Sequence, residues 1–335
     1  MSSCSFPRSS PLISVPGLLL CSVLLACTCM ASASTVAVSV NPTFGANLPT
    51  CSVSSPCKTI AYAVQQIRAS FVYLSPGIFN ESAVGINSSA SLVISGSPAA
   101  TFFDCSQRMG AAIAGAAFNI LNSSVTITGI TFQNCANVNA RGGAVSASGS
   151  SVVVSNCSFV NCSAASGGAV SVTGPGGGLS LSVQNSTFAS NSATGSCPAD
   201  ATQPCSSWGG AIAAFEMPNV TVVGCTMVRN NAQASVPPSS LQASASSNAV
   251  AGGGCVSVVY SGNASGCSVR IDDNTFLQCT VTVPGSNGVK IGNGMRGAWV
   301  VACTVHLQRC FVSRVCRIWR SCISQRWPVR WTAAA

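Results

Sequence analysis

Hydrophobic and polar residues alternate in short segments along most of the chain. Five of these segments read SVTIT, SVVVS, LSLSV, VTVV and CVSVV, and turns rich in Gly, Asn and Ser separate them. Alternation over four or five residues is typical of a β-strand with one buried face. The sequence lacks the runs of Leu, Ala, Glu and Lys that helical repeats need. The pattern therefore predicts an all-β chain of short strands and tight turns.

One alternating phrase recurs five times with the same internal spacing. Each copy begins with Ile or Val, has Phe or Met five residues later, and ends three residues after that with Asn or Cys. A Ser or Thr precedes the Phe or Met. The copies are Ile127–Cys135, Val154–Cys162, Val183–Asn191, Val222–Asn230 and Ile271–Cys279.

A second phrase, Gly-Gly followed by a small residue and then Val or Ile, alternates with the first. Its copies start at Gly142, Gly167, Gly209 and Gly253. The step between successive copies of the first phrase lengthens along the chain, because the later steps contain insertions rich in Gly, Ser and Pro. These insertions are Thr194–Trp208 and Ala232–Ala251. We expect them to be loops that project from an otherwise uniform stack.

A repeat period of about 20–50 residues indicates a solenoid, a propeller or an array. Short strands with Gly-rich and Asn-rich turns favour a right-handed parallel β-helix, in which each coil lies about 4.8 Å from the next. Equivalent residues then stack, with Phe on Phe in the core and Asn or Cys on one another at a turn. The first Gly of each pair suits a corner with positive φ, where a Cβ would clash.

These phrases carry a resemblance to a known family. The alternation of GGA[IV] with FxxN resembles the repeat of polymorphic outer-membrane proteins and their eukaryotic secreted relatives, of the pectin-lyase-like β-helix superfamily. The likeness covers Cys51–Cys279. It implies that Pro56–Ile67 forms a short helix that caps the N-terminal end of the core, with Ile60, Val64 and Ile67 on its buried face. Phe71–Phe79 would then supply the first strand and its turn. Because this fold hosts enzymes, adhesins and structural proteins, the resemblance implies architecture more than activity.

The N-terminal segment at 1–33 resembles a secretory signal peptide. Arg8 is its only charged residue, Leu12–Cys29 is apolar, and Ala31-Ser32-Ala33 suits a signal peptidase. An uncleaved signal anchor is the alternative, but the apolar core is interrupted by Ser, Pro and Gly. We expect a secreted protein whose mature chain begins near Ser34.

The cysteines and the asparagines agree with an extracellular location. Twelve cysteines lie between Cys51 and Cys279, a density that suits an oxidising compartment. Eight sequons for N-linked glycosylation also occur, each of which would be used only in a glycosylating host. They begin at Asn80, Asn87, Asn122, Asn156, Asn161, Asn185, Asn219 and Asn263.

Three disulfide bonds are predicted from the cysteine positions. Cys51–Cys57 in the cap and Cys197–Cys205 in an insertion are short-range pairs. Cys135 and Cys162 occupy the same position in successive coils, within disulfide range if they stack. A row of buried free thiols is the alternative there. The spacing of the cysteines does not indicate a metal site, and we expect no cofactor.

Catalytic residues are scarce. Hydrolysis by acid and base needs two carboxylates about 5 to 9.5 Å apart. Asp272 and Asp273, beside Arg270, are the one adjacent carboxylate pair, but neighbours in a strand point to opposite faces unless a bend intervenes. The motifs of galacturonan hydrolases do not occur, and the only histidine, His306, lies outside the repeats. We therefore expect no catalytic site, with Arg270, Asp272 and Asp273 as the alternative.

The composition changes after residue 288. Residues 289–335 hold eight of the fifteen basic residues, no acidic residue and four of the five Trp. The remainder is nearly neutral, so we expect no nucleic-acid surface on the repeats. The tail is either disordered or an artefact of a wrong reading frame or a retained intron, without a repeat or a C-terminal cap. The alternative is a cationic arm for a membrane or nucleic acid. The predicted division is a signal peptide at 1–33, a β-helix domain at 34–288 with repeats clearest at 125–280, and the tail.

Two functions follow from the predicted architecture. The first is a secreted structural or adhesive component of a cell surface or extracellular matrix. Such a protein would bind an extracellular glycan or protein through its lateral faces, and would contact a membrane only through an uncleaved signal or the tail. The alternative is a carbohydrate-active enzyme, either a polysaccharide lyase or a glycoside hydrolase of the pectin-lyase-like fold.

Overall fold

The structure is a computed structural model of the chain. It describes residues 35–81, 83–107, 115–174, 178–196, 205–235, 249–259, 268–282, 303–306 and 311–315. The predicted signal peptide lies outside these residues.

The described chain contains thirty short strands and one α-helix. The first strands are β1 (Ala37–Val40), β2 (Phe71–Leu74), β3 (Gly77–Phe79), β4 (Val84–Asn87), β5 (Leu92–Ser95), β6 (Thr101–Asp104), β7 (Phe118–Leu121), β8 (Ser124–Thr128), β9 (Thr131–Gln133) and β10 (Ala136–Arg141). The next are β11 (Val145–Ser148), β12 (Ser151–Ser155), β13 (Ser158–Val160), β14 (Ser163–Ser166), β15 (Val170–Thr173), β16 (Ser180–Gln184), β17 (Thr187–Ala189), β18 (Ser192–Ser196), β19 (Cys205–Trp208) and β20 (Ile212–Phe215). The last are β21 (Asn219–Val223), β22 (Thr226–Val228), β23 (Asn231–Ser235), β24 (Ala249–Gly252), β25 (Val256–Val259), β26 (Ser268–Asp272), β27 (Thr275–Leu277), β28 (Thr280–Thr282), β29 (Cys303–His306) and β30 (Phe311–Val315). The helix α1 spans Ile60–Gln65, and a short 3-10 helix spans Cys105–Gln107.

The strands form four long parallel sheets, which are the walls of a coil. Sheet 1 has the order β1-β2-β5-β8-β12-β16-β21-β26-β30, and sheet 2 the order β3-β6-β9-β13-β17-β22-β27. Sheet 3 has the order β10-β14-β18-β23-β28, and sheet 4 the order β4-β7-β11-β15-β20-β25-β29. From β8 onward the chain visits sheets 1, 2, 3 and 4 in turn and then returns to sheet 1. A small fifth sheet pairs β19 with β24 in parallel. These strands lie at the C-terminal ends of the two long insertions, so the described ends of the insertions are strands and not the loops that the sequence predicted. The predicted all-β parallel β-helix with a short N-terminal helix is confirmed.

The helix α1 closes the N-terminal end of the core. Thr59 caps it, since its Oγ1 accepts a hydrogen bond from the Tyr62 amide at 3.2 Å. Ile60 and Ala63 are fully buried, whereas Val64 and Ile67 are only partly buried against the core. The predicted buried face is therefore confirmed at Ile60, but not at Val64 and Ile67. The helix ends at Gln65, so Ile67 lies beyond it, and Ala63 is the second fully buried residue.

Large apolar side chains stack along the axis of the coil. The rings of Phe132, Phe159 and Phe188 are nearly parallel, with centroids 5.0 and 4.8 Å apart. Phe103 extends the stack at one end, with its centroid 5.9 Å from that of Phe132. Met227 pairs in register with Phe188 at the other end. The predicted Phe row is therefore the centre of one continuous core.

The two glycines of each Gly-Gly phrase are needed for different reasons. Gly142 and Gly167 have φ of 71° and 62°, as expected for the corner. The second glycine is required by stacking instead, since a Cβ on Gly143 would overlap the Gly168 carbonyl oxygen of the next coil. A Cβ on Gly168 would overlap the Gly210 oxygen in the same way.

Buried polar side chains link the coils at the corner between sheets 2 and 3. The Asn191 Nδ2 donates to the Asn230 Oδ1 at 2.9 Å and to the Phe159 carbonyl oxygen at 3.1 Å. The Asn230 Nδ2 donates to the Phe188 oxygen at 3.0 Å. The Cys162 amide donates to the Asn191 Oδ1 at 2.9 Å. These hydrogen bonds satisfy buried groups that would otherwise destabilise the corner.

The cysteine pairing differs in part from the prediction. The Cys51–Cys57 bond is present, but Cys135 is bonded to Cys105 and not to Cys162, which is a buried free thiol. Cys135 lies between the other two along the stack, and one sulfur can bond only one partner. Cys255–Cys279 is a further bond that the sequence analysis did not predict. Cys197 lies outside the described residues, so its pairing with Cys205 stays a prediction.

Two described segments of the predicted tail continue the sheets. Strand β29 pairs with β25, and β30 pairs with β26, both in parallel. The rest of residues 283–335 lies outside the described chain, and the boundary at 288 stays a prediction. Among the described residues, no helix has the length and apolar character needed to cross a membrane.

Candidate functional site

The outer face of sheet 1 is a long polar surface. Inward side chains alternate with outward ones along every strand, because the side-chain period of a strand is two. The outward positions fall into rows that cross the strands. One row is Phe71, Val93, Thr126, Val153, Ser182, Thr221 and Arg270. A second row is Tyr73, Ser95, Thr128, Ser155, Gln184, Val223 and Asp272.

Two aromatic side chains lie near the N-terminal end of this face, on the second strand of sheet 1. Phe71 and Tyr73 are next-but-one neighbours on β2, so both point outward. Their rings are stacked, with centroids 6.2 Å apart and planes inclined by 21°. Tyr73 is 46% exposed, and Phe71 is partly exposed. A flat aromatic surface beside rows of hydroxyl groups is suited to stacking against the apolar face of a sugar ring.

The predicted catalytic alternative lies near the opposite end of the same face, on the last strand but one of sheet 1. Arg270 and Asp272 both point outward from β26 and form an ion pair, with Arg270 Nη2 3.6 Å from Asp272 Oδ2. Asp273 begins the corner with φ of 52°, and its amide donates to Asp272 Oδ1 at 3.1 Å. The corner is the bend that the sequence analysis required, so both carboxylates lie on the outside. The guanidinium is already paired with Asp272.

Two other carboxylates are committed to structural hydrogen bonds. Glu81 accepts from the Ile60 amide at 2.6 Å and from the Ala61 amide at 3.0 Å. Burial raises the pKa of Glu81, and these two amides offset the rise only in part. For Asp104, slight burial disfavours the charged form, but hydrogen bonds from Ser106, Gln133 and Asn134 lower the pKa of the carboxyl. Neither carboxylate is poised to donate a proton to a ligand on sheet 1.

A cationic feature on the outer face of sheet 4 was missed by sequence reasoning. The Arg141 guanidinium lies 4.1 Å from the centre of the Phe215 ring and donates to Thr173 Oγ1 at 3.0 Å. On the same side of the sheet, the buried hydroxyls of Ser171 and Ser257 have no hydrogen-bond partner among the described residues. Arg141, Thr173 and Phe215 come from three different coils. No local motif joins them, and only the register of the strands brings them together.

Comparison with protein families agrees with this geometry. The model of the right-handed β-helix region matches residues 116–305, more than half of the chain. The chain belongs to this family. Comparison with curated proteins gives no match, and comparison with solved structures gives none either. The family match supports the pectin-lyase-like β-helix superfamily that the repeats indicated.

The sequon asparagines of this right-handed β-helix protein all lie on its surface where they are described. Seven of the eight are in the described chain and every one is exposed, while Asn263 lies outside it. Four of them, Asn122, Asn156, Asn161 and Asn185, have positive φ at corners between two walls. The other three described sequon residues are Asn80, Asn87 and Asn219, next to or at strand ends.

The buried thiols of this β-helix protein are suited to packing and not to chemistry. Burial raises the pKa of Cys157 to about 11 and that of Cys162 to about 12, so both are protonated at neutral pH. Burial raises the pKa of Cys225 as well. The described residues contain no group of three His, Cys, Asp or Glu side chains able to hold a metal ion.

Proposed function

We propose that this right-handed β-helix protein is a secreted structural or adhesive component of a cell surface or extracellular matrix, and that it binds glycan through the outer face of sheet 1. The observation that carries the proposal is the exposed Phe71–Tyr73 pair near one end of two outward rows, in which half of the side chains carry a hydroxyl. The repeat of GGA[IV] and FxxN supports placing the protein with the polymorphic outer-membrane type.

The spacing of the rows supports an extended ligand in particular. Neighbouring parallel strands lie about 4.8 Å apart, so each row repeats at a fixed interval along the coil. Hydroxyl groups both donate and accept hydrogen bonds, as sugar hydroxyls do. A polysaccharide that runs across the strands would therefore meet the hydroxyls of Ser95, Thr128 and Ser155 on three successive strands, with the aromatic pair as its stacking point.

Three disulfide bonds in the described chain support the secreted location. Cys105–Cys135 and Cys255–Cys279 lie in the coils, and Cys51–Cys57 lies in the N-terminal cap. Bonds of this kind persist in oxidising compartments and are reduced in the cytosol. The apolar segment near the N-terminus supports the same location.

The proposal is tested by binding of the purified protein to immobilised neutral polysaccharides. We expect Tyr73→Ala to weaken binding about tenfold, the value of one lost aromatic stacking contact. Phe44→Ala is the matched control, because Phe44 is 85% exposed but lies in the turn after β1 and not on sheet 1. Equal affinity of the Tyr73 variant and the wild type for every polysaccharide bound would overturn the assignment of this face.

The same samples separate binding from the enzymatic alternative. Products of uronic-polymer cleavage would be measured with the wild type and with the double variant Asp272→Asn and Asp273→Asn. If the wild type cleaves the polymer and the double variant does not, the protein has a catalytic role and the adhesive proposal is wrong. Binding without any product would leave the adhesive role in place.

A further inference from the structure

Corner asparagines and N-linked sequons coincide in this chain. Five asparagines of the described chain have positive φ: Asn122, Asn134, Asn156, Asn161 and Asn185. Asparagine is among the few residues other than glycine that take this conformation readily. Four of the five begin a sequon, and Asn134 alone does not, because Ala136 stands where the hydroxyl residue would be.

The corner geometry places both essential sequon groups on the outside. At Asn156 the corner residue is exposed, Cys157 turns inward and is buried, and Ser158 begins the next strand with its side chain outward and partly exposed. Asn185, Ser186 and Thr187 repeat this order, with Ser186 buried and the two outer residues exposed. This alternation follows from a two-residue corner that joins two walls.

Two of these asparagines, Asn122 and Asn185, have a glycine at the same corner of the neighbouring coil. A Cβ added to Gly149 would lie 2.5 Å from Asn122 Oδ1, and one added to Gly224 would lie 2.6 Å from Asn185 Oδ1. The carboxamide oxygen of each asparagine therefore lies close to the corner residue of a neighbouring coil, and that residue is a glycine. The glycine therefore leaves the space that the carboxamide of this asparagine occupies.

The Gly-Gly corner between sheets 3 and 4 cannot carry such a site. A Cβ on Gly142 would overlap the Val145 carbonyl oxygen, and one on Gly209 would overlap the Ile212 oxygen. An asparagine is excluded there by backbone contacts. The residue two positions after the first glycine is Ala or Cys at every copy, and it is fully buried. This corner lacks both the acceptor and the hydroxyl.

We propose that N-linked glycans are carried by Asn122, Asn156, Asn161 and Asn185, and that the Gly-Gly edge of the coil stays bare. The proposal rests on the secretion proposed above. The asparagine Nδ2 would displace the pyrophosphate of a lipid-linked oligosaccharide. The sugar C1–N bond forms, the C1–O bond to phosphate breaks, the lipid pyrophosphate leaves, and the amide proton passes to the carboxylate of the host transferase.

The bare edge is where the chain has its largest variation in length. Both long insertions, Thr194–Trp208 and Ala232–Ala251, enter the coil between sheet 3 and sheet 4. Arg141 also stands immediately before the first Gly-Gly corner. Glycans on the other three edges would leave this edge as the unshielded protein surface.

The test is translation of the full chain with eukaryotic microsomes, followed by site-by-site glycopeptide mass spectrometry. Ser158→Ala removes one sequon without changing the corner residue Asn156, and should abolish occupancy at Asn156 alone. Ala136→Ser creates a sequon at the matched corner Asn134 and should add one occupied site. Ser146→Ala, which changes an outward hydroxyl on sheet 4 outside every sequon, is the control and should leave all sites as they are.

Protection from added protease shows independently whether the chain enters the microsomes. A protected chain with all four corner asparagines unmodified would overturn the glycan proposal and leave the proposed secretion standing. A chain that stays accessible to protease would overturn the secretion, and the glycan proposal with it. Protection with occupied corner sites supports both.

Discussion

Cys135 lies between two cysteines along the stack, and its bond to Cys105 leaves Cys162 free. The sequence predicts a Cys135–Cys162 bond because both cysteines end the same repeat phrase. Cys105 was overlooked because it stands two residues after Phe103, whereas Cys135 stands three residues after Phe132. The register pairs Phe103 with Phe132 directly. The corner after Phe103 is thus one residue shorter than the corner after Phe132. A search for Cys at a fixed distance from Phe therefore does not find Cys105.

Removal of the bonded partner should redirect the disulfide. In Cys105→Ser, the Cys135 sulfur has the stacked Cys162 as a neighbour, about 4.8 Å away between Cα atoms. We expect a Cys135–Cys162 bond to form during oxidative folding, while the thiolate is still accessible. Peptide mapping without reduction would detect it. The variant Cys51→Ser is the control, since it should leave Cys105–Cys135 intact. Free Cys135 and Cys162 in the folded Cys105 variant would contradict the prediction.

At the scale of elements, the sequence predicted the strands and the corners well but not the tertiary partners of the cap. Alternation identifies SVTIT and SVVVS as strands because each has one buried face, and these are β8 and β12. The family resemblance implied a capping helix within Pro56–Ile67, and the structure has it at Ile60–Gln65. Its partner Glu81 follows two further strands, and no local pattern shows that its carboxylate returns to the Ile60 and Ala61 amides.

The raised pKa of Glu81 makes the cap sensitive to pH. A carboxyl whose pKa is higher in the folded than in the unfolded chain binds its proton more tightly when folded, so its contribution to stability is present below the unfolded pKa, near 4.5. That contribution should be lost as pH rises from about 4.5 through the raised value. Urea unfolding of the wild type and Glu81→Gln at several pH values would measure it.

The difference in unfolding free energy between the two proteins isolates Glu81 from the other carboxyls. The wild type should lose stability relative to Glu81→Gln across that pH window, because glutamine does not ionise. A difference that is constant with pH would show that the two amide hydrogen bonds balance burial, and one that grows in favour of the wild type as pH rises would show that they outweigh it. Asp104→Asn is the control with the opposite sign, since the pKa of Asp104 is lowered.

At the scale of the whole molecule, each coil contacts mainly the coils before and after it. Stability in such an array is close to a sum of coil terms and neighbour terms. What positions one coil on the next is the register, which places Phe159 on Phe188 and Ser155 on Gln184. The first and last residues of a coil therefore lie at the same position on neighbouring strands, although a whole repeat separates them along the sequence.

Deletion of one whole coil should be tolerated better than deletion of a smaller piece. Removing residues 156–184 takes away one strand from each of the four sheets and joins Ser155 to Asn185, which continues the chain as Asn156 did. Phe132 would then stack on Phe188, and the three described disulfides would remain. We expect a folded protein whose melting temperature falls by roughly 2–10 °C, the effect of losing one coil and one interface.

Removing residues 156–166 is the comparison. This deletion is shorter, but it takes strands from sheets 2 and 3 only, so that β12 of sheet 1 leads directly into the Gly-Gly corner of sheet 4. The coil cannot close with two walls missing, and the following strands cannot reach their partners. Circular dichroism and thermal unfolding of both variants would decide, with a cooperative transition expected for the longer deletion only. If the shorter deletion were the more stable of the two, stability would not depend on complete coils, and the nearest-neighbour description of this β-helix would be wrong.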